Sequence, residues 1–251
     1  MRGRTPDDIE ALIKRNQEQG IRGYFVTDDN FARHPHWEEI TDRIISLKEK
    51  MHVSLMVQTD TMSYRIPRFV DKVARAGCRR IFIGMESVNS DNLKAVSKPQ
   101  NRIHDYRTML QTWRDAGVVT HVGYIIGFPG DTYDSIMRDV ERLKQELPIE
   151  FVEFFMMTPL PGSQDHLDNY LKGVPMAKDM NEYDTTRPCM EHPIMSRDEL
   201  MRAYRDAWKS FYAREHVVTI LKRRKDRRRK NIARHMIWFR NAVFIEGLHP
   251  F

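Results

Sequence analysis

Three apolar runs in this chain each end in a turn that carries glycine, proline or a carboxylate. With their turns they cover residues 81–87, 123–131 and 154–163, and amphipathic stretches separate them. In (β/α) barrels, the buried parallel strands end in loops that build the active site on one face. The pattern therefore predicts three strands whose ends line one pocket.

The first 163 residues alternate between amphipathic helical segments and short apolar segments. Thr5, followed by Pro6 and two aspartates, predicts the start of the first helix, because Thr is a good N-cap and acids favour the first turn. Strands are predicted at 23–27, 53–57, 81–84, 118–126 and 151–157. This alternation predicts an α/β fold with a parallel sheet, in an order that opens on a helix.

The pattern changes after residue 163, and we expect three parts. These are a barrel domain at 1–163, an irregular cover segment with a packing helix at 164–216, and a basic helical tail at 217–251. Ser196 is the expected N-cap of the packing helix. In the tail, apolar residues recur at helical spacing, at Ile232, Met236, Phe239 and Val243.

The net charge of +6 is concentrated in the tail. Residues 214–240 contain eleven Lys or Arg and two acids, a net charge of +9, which leaves −3 for the remainder. The basic run at 222–234 could contact the phosphates of a nucleic acid, or lie on an anionic membrane with Trp238 and Phe239 as anchors. A solvated helix that has lost its neighbouring domain is the third interpretation, and we favour it.

The composition of the chain predicts the compartment in which the protein works. No apolar run approaches the roughly 20 residues that cross a bilayer, so no membrane span is predicted. No apolar segment follows the first four residues, so no signal peptide is predicted either. The two cysteines, Cys78 and Cys189, form no C-x2-C pair and no disulfide framework. We therefore expect a cytoplasmic protein.

Three segments resemble the strand-end motifs of one enzyme family. The segments are Gly84-Met85-Glu86-Ser87, Gly123 to Thr132, and Thr158 to Ser163. In this order and spacing they look like the fourth-, fifth- and sixth-strand motifs of radical S-adenosylmethionine (radical SAM) enzymes, particularly the cobalamin-binding branch. The resemblance covers residues 5–212.

The resemblance implies a fold and a reaction. The fold is a partial TIM-type (β/α) barrel that lacks its first strand and carries C-terminal helices. The family reductively cleaves SAM to a 5′-deoxyadenosyl radical, which abstracts hydrogen from a substrate, or transfers a methyl group by way of cobalamin. In such enzymes the protein positions the cofactors, which carry the difficult chemistry.

The resemblance also implies two sets of polar SAM-binding residues. Asp28 and Asp29, with Asn30 beside them, would accept hydrogen bonds from the ammonium group of SAM. Glu86, followed by Ser87, would hold the ribose diol. Lys98 would pair with the carboxylate of SAM. Without the family, 28–30 also fits a helix-capping turn, and Lys98 fits a solvated lysine.

The remaining implied contacts come from the other two turns. Ile126, Gly127, Phe128 and Pro129 would offer adenine an apolar surface and backbone partners, because glycine allows close approach. Thr158 and Pro159 would form the third wall. Alternatively, the glycine turn serves backbone shape alone, and Pro159 only terminates a strand.

The chain lacks the cysteines that the family's chemistry requires. A [4Fe-4S] cluster needs thiolate ligands, usually from C-x3-C-x2-C after the first strand, and this sequence contains no such motif. Met1 falls just past the place where that loop would lie, and any cobalamin domain would lie further upstream. We therefore expect an N-terminally truncated enzyme that is inactive in isolation.

Two other classes of protein stay open from the sequence. A degenerate SAM-pocket protein that acts as a binding module or scaffold would share the strand-end turns and lack catalysis. A metal-dependent hydrolase on a similar barrel would need histidine and aspartate ligands at several strand ends. The strand ends here offer carboxylates without histidines, and we rank the hydrolase low.

Overall fold

The computed structural model describes residues 3–95, 103–226 and 228–246. The strands are β1 Gly23–Phe25, β2 Ser54–Asp60, β3 Cys78–Glu86, β4 Val119–Ile126 and β5 Phe151–Met156. The helices are α1 Pro6–Glu18, α2 Trp37–Lys48, α3 Phe69–Arg75, α4 Ser90–Ala95, α5 Ile103–Asp115, α6 Tyr133–Glu146, α7 Gln164–Leu171, α8 Arg197–Phe211, α9 Arg214–Arg223 and α10 Arg229–Asn241. Short 3₁₀ turns lie at Phe31–Arg33, Ser63–Arg65 and Met180–Glu182, and a π-helical turn at Ala242–Glu246.

The predicted parallel sheet is confirmed. Its strands follow the chain order β1-β2-β3-β4-β5, and β1–β2 and β2–β3 pair in parallel. The strands β2 and β3 are longer than predicted and include polar residues such as Gln58 and Asp60. Burial alternates along β2, with Gln58 and Asp60 on half-buried positions, which is why the apolar run alone marked only part of the strand.

Local capping explains where the helices begin. The Thr5 hydroxyl accepts the N–H of Asp8 at 3.2 Å, and the Asp8 carboxylate accepts the N–H of Thr5 at 3.1 Å, which is a reciprocal capping box. Thr132 caps α6 with Ser135 in the same way. Ser196 caps α8 through the N–H of Glu199 at 3.2 Å. The predicted helix starts at Thr5 and Ser196 are therefore confirmed.

The described residues divide into two compact units. One draws on residues 1–85, 101–122 and 149–151, and the other on 86–100, 123–148 and 152–251. The predicted boundaries at 163 and 216 stay a prediction.

A buried ion pair anchors the first unit. Arg114 Nε lies 3.0 Å from Glu150 Oε1, and both side chains are almost fully buried. The other oxygen of Glu150 accepts the N–H and the hydroxyl of Thr120. Removing one partner of such a pair typically costs about 3–5 kcal/mol, because a charge is left buried. The core around it is apolar, and it includes Phe69 and Trp113 in edge-to-face contact.

An aromatic cluster holds α8 against β5 in the second unit. Phe154 contacts Trp208 and Phe211 edge to face, with ring centroids 5.4 and 6.3 Å apart. The hydroxyl of Tyr212 donates to the Val152 carbonyl at 2.7 Å, and that of Tyr204 donates to the Phe154 carbonyl at 3.0 Å. The hydroxyl group of each of these two buried tyrosines thus has a hydrogen-bond partner.

Two expectations about the C-terminal half are wrong. The segment after residue 163 is not irregular throughout, since α7 forms its first part. Phe239 cannot anchor the chain to a membrane, because it is only 1% exposed. In the described part of the tail, α9 and α10 are helical as predicted, and Ile232, Met236 and Val243 are buried with Phe239. No helix in the described residues is long and apolar enough to cross a membrane.

Candidate functional site

The structure divides the predicted site residues between the two units. Asp28, Asp29 and Asn30 belong to the first unit. The other predicted residues, from Glu86 onward, belong to the second, except that Lys98 lies outside the described residues.

In the first unit, the loop after β1 is linked to the end of β2. The N–H of Asn30 donates to Asp28 Oδ1 at 3.0 Å, which closes an Asx turn. The side-chain amide of Asn30 donates to Asp60 Oδ2 at 2.9 Å, and Arg33 lies 3.1 Å from the same oxygen. Asp60, the last residue of β2, thus organises this loop, although the sequence analysis assigned it no role. The loop is no helix cap, since Asn30 precedes the 3₁₀ turn without a side-chain capping bond.

Asp28 and Asp29 also line a pocket of about 500 Å³ in the first unit. Apolar residues of β1, β2, α1, α2 and α3 form most of its remaining wall, and Arg4 and His34 add polar groups. A pocket of this size can hold a small molecule. The two carboxylates are therefore at a ligand-sized pocket, which is compatible with the predicted contact to an ammonium group.

In the second unit, Glu86 has an unusual backbone. It ends β3 with φ of +69°, in the left-handed region. This region costs a non-glycine residue about 1–2 kcal/mol, and such strain concentrates at functional sites. The side chain of Glu86 is partly exposed. The strand therefore presents a carboxylate at its end in a conformation that folding alone would disfavour.

A buried polar network lies directly behind Glu86. The hydroxyl of Tyr124 donates to Asp139 Oδ2 at 3.1 Å and lies 3.5 Å from the Ser87 hydroxyl. Arg142 lies 3.6 Å from Asp139 and donates to the Val88 carbonyl at 3.4 Å. Burial raises the pKa of Asp139, and burial together with the neighbouring Asp139 raises the pKa of Tyr124 well above its usual value. The network holds the chain that follows Glu86 in place.

This network changes the role of Ser87. Ser87 is fully buried, and its hydroxyl accepts the N–H of Asn89 at 3.0 Å. The side chain therefore supports the turn from within the protein, and its predicted contact to SAM stays a prediction.

The second turn is organised by Asp131. One oxygen of its carboxylate accepts the N–H groups of Gly127 and Phe128 at 3.0 and 2.9 Å. The other accepts the side-chain amide of Asn92 at 2.9 Å. Burial raises the pKa of Asp131, and these hydrogen bonds act in the opposite direction. Asp131 therefore fixes the turn and ties it to α4, a role that the sequence analysis missed.

Glycine is required at position 127. Its φ is +96°, and a Cβ atom there would lie 3.4 Å from Leu200 Cδ1 and from Met156 Sδ. A side chain would thus be strained by the backbone as well as crowded by β5 and α8.

The turn offers less to adenine than predicted. Ile126 and Phe128 are fully buried, so their side chains present no surface to a ligand, and only Pro129 is exposed. The N–H groups of Gly127 and Phe128 already bond Asp131. Gly127 is buried as well, so what remains exposed at this turn for a flat ring is Pro129.

The three strand ends meet within the second unit. Asn92, which follows β3, bonds Asp131, which follows β4. The N–H of Met157, which follows β5, donates to the Ile126 carbonyl at 2.8 Å. The predicted single cluster of turns is therefore present in the described residues of this unit.

His192 connects a distant segment to the second turn. Its Nδ1 accepts the N–H groups of Ile194 and Met195 at 3.2 and 3.0 Å. That places the proton on Nε2, which donates to the Phe128 carbonyl at 2.8 Å. No spacing in the sequence indicated this contact, because the two residues are far apart along the chain.

The third turn contacts the same distant segment. The Thr158 hydroxyl donates to the Met156 carbonyl at 2.9 Å and lies near the thiol of Cys189. Burial raises the pKa of that thiol. The Met156 N–H donates to the Thr185 carbonyl at 2.6 Å. Pro159 is buried, so it shapes the turn. Residues 175–200 line a second pocket of about 520 Å³ that includes Cys189 and His192.

The chain has no ligand set for an iron–sulfur cluster. It contains only Cys78 and Cys189, which are both buried and belong to different units. Within the described ranges, no three histidine, cysteine or acidic side chains are grouped to hold a metal ion. A [4Fe-4S] cluster needs three or four thiolates, and these residues do not fit it.

Comparison with known proteins identifies the family of this chain. Residues 1–143 match the sequence model of the Radical SAM superfamily, which is more than half of the chain. The protein therefore belongs to the radical SAM superfamily.

Three curated relatives illustrate the range of similarity. A bacteriochlorophyllide d C-12(1)-methyltransferase of Chlorobaculum tepidum is 24% identical over 79% of this chain and 42% of its own length. A hopanoid C-2 methylase of Rhodopseudomonas palustris is 24% identical over 98% of this chain and 49% of its own length. An uncharacterized methyltransferase of Pyrococcus horikoshii is 26% identical over 84% of this chain and 45% of its own length. The chain thus spans less than half the length of these relatives.

Solved structures share the fold. The cobalamin-dependent radical enzyme OxsB aligns with a TM-score of 0.60 at 15% identity, over 95% of this chain and 41% of that chain. The methyltransferase TsrM of Kitasatospora setae aligns with a TM-score of 0.59 at 18% identity, over 80% of this chain and 38% of that chain. That structure contains cobalamin and a [4Fe-4S] cluster. The predicted partial TIM-type (β/α) barrel of a radical SAM enzyme is confirmed by this likeness.

Proposed function

We propose that this chain is the SAM-binding part of a cobalamin-type radical SAM methyltransferase. The observation that carries the proposal is Glu86, a carboxylate held at a strand end in the left-handed conformation. A carboxylate accepts both hydroxyls of a ribose diol well. The methyltransferase relatives support the type of reaction.

The other strand ends would complete the nucleoside site. The turn fixed by Asp131 would bring Pro129 against adenine, and Thr158 would close the third side. Asp28, Asp29 and Asn30, at the pocket of the first unit, stay the predicted partners of an ammonium group, and Lys98 stays the predicted partner of a carboxylate. A turn whose hydrogen bonds are already made inside the protein is preorganised, so it loses little entropy when a ligand binds.

The cluster ligands must come from outside these residues. A bound [4Fe-4S] cluster would supply the electron that cleaves SAM, and this chain lacks the thiolates to hold one. We therefore propose that the isolated chain makes no radical, and that a cysteine segment and a cobalamin domain of a longer polypeptide would supply both groups. Reconstitution of the isolated chain with iron and sulfide should give no stoichiometric iron and no cluster absorbance band.

The nucleoside site can be tested without the cluster. S-adenosylhomocysteine carries the same ribose and adenine, and its binding can be measured by calorimetry. We expect Glu86→Gln to weaken binding about tenfold or more, because a hydrogen bond to a charged acceptor contributes about 1.5–3 kcal/mol. Glu215→Gln, at an exposed carboxylate of the same unit on α9, is the matched control and should leave binding unchanged. Equal affinity of the Glu86 variant and the control would refute the role of Glu86.

A second experiment separates the enzyme from a scaffold that lost its catalytic part. The genomic sequence upstream of Met1 either continues in frame into a cysteine triplet or does not. If it does, expression of the longer polypeptide should give a SAM-cleaving protein after reconstitution. An upstream region without the triplet would favour the non-catalytic SAM-pocket protein.

A further inference from the structure

The basic tail separates into structural and exposed cations. Arg223 donates to the carbonyls of Lys144 and Leu147 at 3.1 and 3.2 Å, so it caps the C-terminal end of α6. Arg224 is 5% exposed and lies 3.4 Å from Asp226. These two arginines stabilise the fold. The cations available for a partner are the exposed ones, among them Arg229, Lys230 and Arg234 of α10.

One side of α10 is core and the opposite side is an exposed stripe. Ile232, Met236 and Phe239 are fully buried. The other side exposes Lys230, Arg234, Ile237 and Trp238 at spacings of three, four, seven and eight residues, which share one helix face. Phe244 and Ile245 in the following π-helical turn extend it. We call these six residues the α10 stripe.

The stripe is cationic at one end and apolar at the other. Ile237 and Trp238 are 58% and 52% exposed, and Ile245 is 76% exposed. The helix α10 contains no acidic residue, and Arg240 lies over the ring of Phe244 at 4.5 Å. Cations beside exposed Trp, Phe and Ile are the composition by which protein surfaces bind anionic lipid bilayers.

We propose that the α10 stripe docks this protein on the surface of an anionic lipid bilayer. Lys230 and Arg234 pair with lipid phosphates, while Ile237, Trp238, Phe244 and Ile245 enter the headgroup region. Charge complementarity selects this occupant, since α10 exposes Arg229, Lys230 and Arg234 and contains no acidic residue. A nucleic acid would use the cations and leave the aliphatic half of the stripe exposed to water. The proposal does not depend on SAM binding.

Vesicle co-sedimentation of the full chain tests the proposal. We expect binding to vesicles of phosphatidylcholine with phosphatidylglycerol, and much weaker binding to phosphatidylcholine alone. The double change Lys230→Gln/Arg234→Gln should weaken binding about 25-fold, from the usual contribution of a cation near an anionic surface. The matched control is Arg205→Gln/Lys209→Gln, an exposed pair on α8 with the same spacing and charge change, which should bind like the unmodified chain.

The apolar half needs its own variant. Ile237→Gln/Trp238→Gln should weaken binding about tenfold or more, because half-exposed side chains would lose their transfer out of water. Tyr170→Gln/Leu171→Gln is the control, since these residues are 70% and 72% exposed at the end of α7. Brominated lipid should quench the fluorescence of the unmodified chain, and Trp238→Phe should remove that quenching. Circular dichroism confirms that each variant is folded.

Three outcomes would overturn the proposal. The first is no binding to anionic vesicles, and the second is equal loss in the stripe variants and their controls. The third is occupation of the stripe by another partner. That partner would be a second copy of the chain if light scattering shows a stable dimer that Ile237→Gln/Trp238→Gln dissociates. It would be a nucleic acid if nucleic acid binds through Lys230 and Arg234 and vesicles do not bind.

Discussion

Variants of His192 can separate two roles of its side chain. One role is the hydrogen bond to the second turn, and the other is the pair of hydrogen bonds that shape its own segment. One ring nitrogen accepts the N–H groups of Ile194 and Met195, and the other donates to the Phe128 carbonyl. In His192→Asn the amide oxygen takes the place of Nδ1, as in an Asx turn, but the side chain is too short to reach Phe128. In His192→Gln the longer amide can donate to Phe128 and loses the Nδ1 acceptor.

The expected magnitudes follow from the hydrogen bonds. A single neutral hydrogen bond contributes about 1 kcal/mol to stability, which is about a fivefold change in an opening equilibrium at room temperature. In His192→Asn, the amides of Gly127 and Phe128 should exchange with solvent about fivefold faster, because the turn keeps Asp131 but loses the tether. The amides of Ile194 and Met195 should keep their protection.

His192→Gln should show the opposite pattern, with faster exchange at Ile194 and Met195 and unchanged exchange at Gly127 and Phe128. Hydrogen exchange followed by NMR at single amides measures both sites in one experiment. Unchanged exchange at Gly127 and Phe128 in the Asn variant would refute the tether. Equal acceleration at all four amides in both variants would show a general loss of stability instead.

Two further predictions concern stability. Gly127→Ala should lower the free energy of unfolding in urea titrations by about 1–2 kcal/mol, because of its positive φ and its contacts with Leu200 and Met156. The control is Gly130→Ala, where a Cβ would meet open space. It should be neutral or slightly stabilising in the same titrations. Burial lowers the pKa of His216 from 6.5 to about 4, so the unfolded chain takes up a proton before the folded one does. His216 therefore contributes stability above pH 6.5 that is lost as the pH falls towards 4, by up to about 3 kcal/mol. His216→Gln should remove that part of the pH dependence, and an unaltered profile would contradict it.

The fold was predictable because its signals are local. Apolar runs marked all five strands, and Thr5 and Ser196 marked two helix starts by their capping chemistry. The helix α7 was missed although Leu167, Tyr170 and Leu171 stand at helical spacing in it. The helix has only eight residues and none of them is buried, so this short apolar period is a weak signal beside the prolines that follow it.

The site was less predictable because its geometry depends on contacts between distant residues. The carboxylate of Asp131 bonds backbone N–H groups three and four residues before it, a local arrangement that the turn sequence could have suggested. The bond from His192 to Phe128 and the network behind Ser87 join residues that are 64 and 37 apart in sequence. Only the folded chain shows that Ile126 and Phe128 are buried and leave Pro129 exposed.

The left-handed backbone of Glu86 provides a test of whether this position is maintained for binding or for stability. In Glu86→Ala and Glu86→Gly the side chain and its contacts are both lost, so the two variants differ only in backbone preference. Because φ is +69°, the Gly variant should be more stable than the Ala variant by about 1 kcal/mol. At Arg205, in the middle of α8, the order should reverse by a similar amount, since glycine disfavours helices.

Neither Glu86 variant should bind S-adenosylhomocysteine as the unmodified chain does. Urea titration gives the stabilities, and calorimetry gives the affinities. If Glu86→Gly is as stable as the unmodified chain and no longer binds S-adenosylhomocysteine, then Glu86 is needed for binding and its strained backbone does not serve stability. Should the Gly variant instead keep its affinity, Glu86 would be a structural residue, and the ribose contact would have to come from another group of the second unit. The stability of the Gly variant and its affinity together therefore decide between the two roles, which neither measurement decides alone.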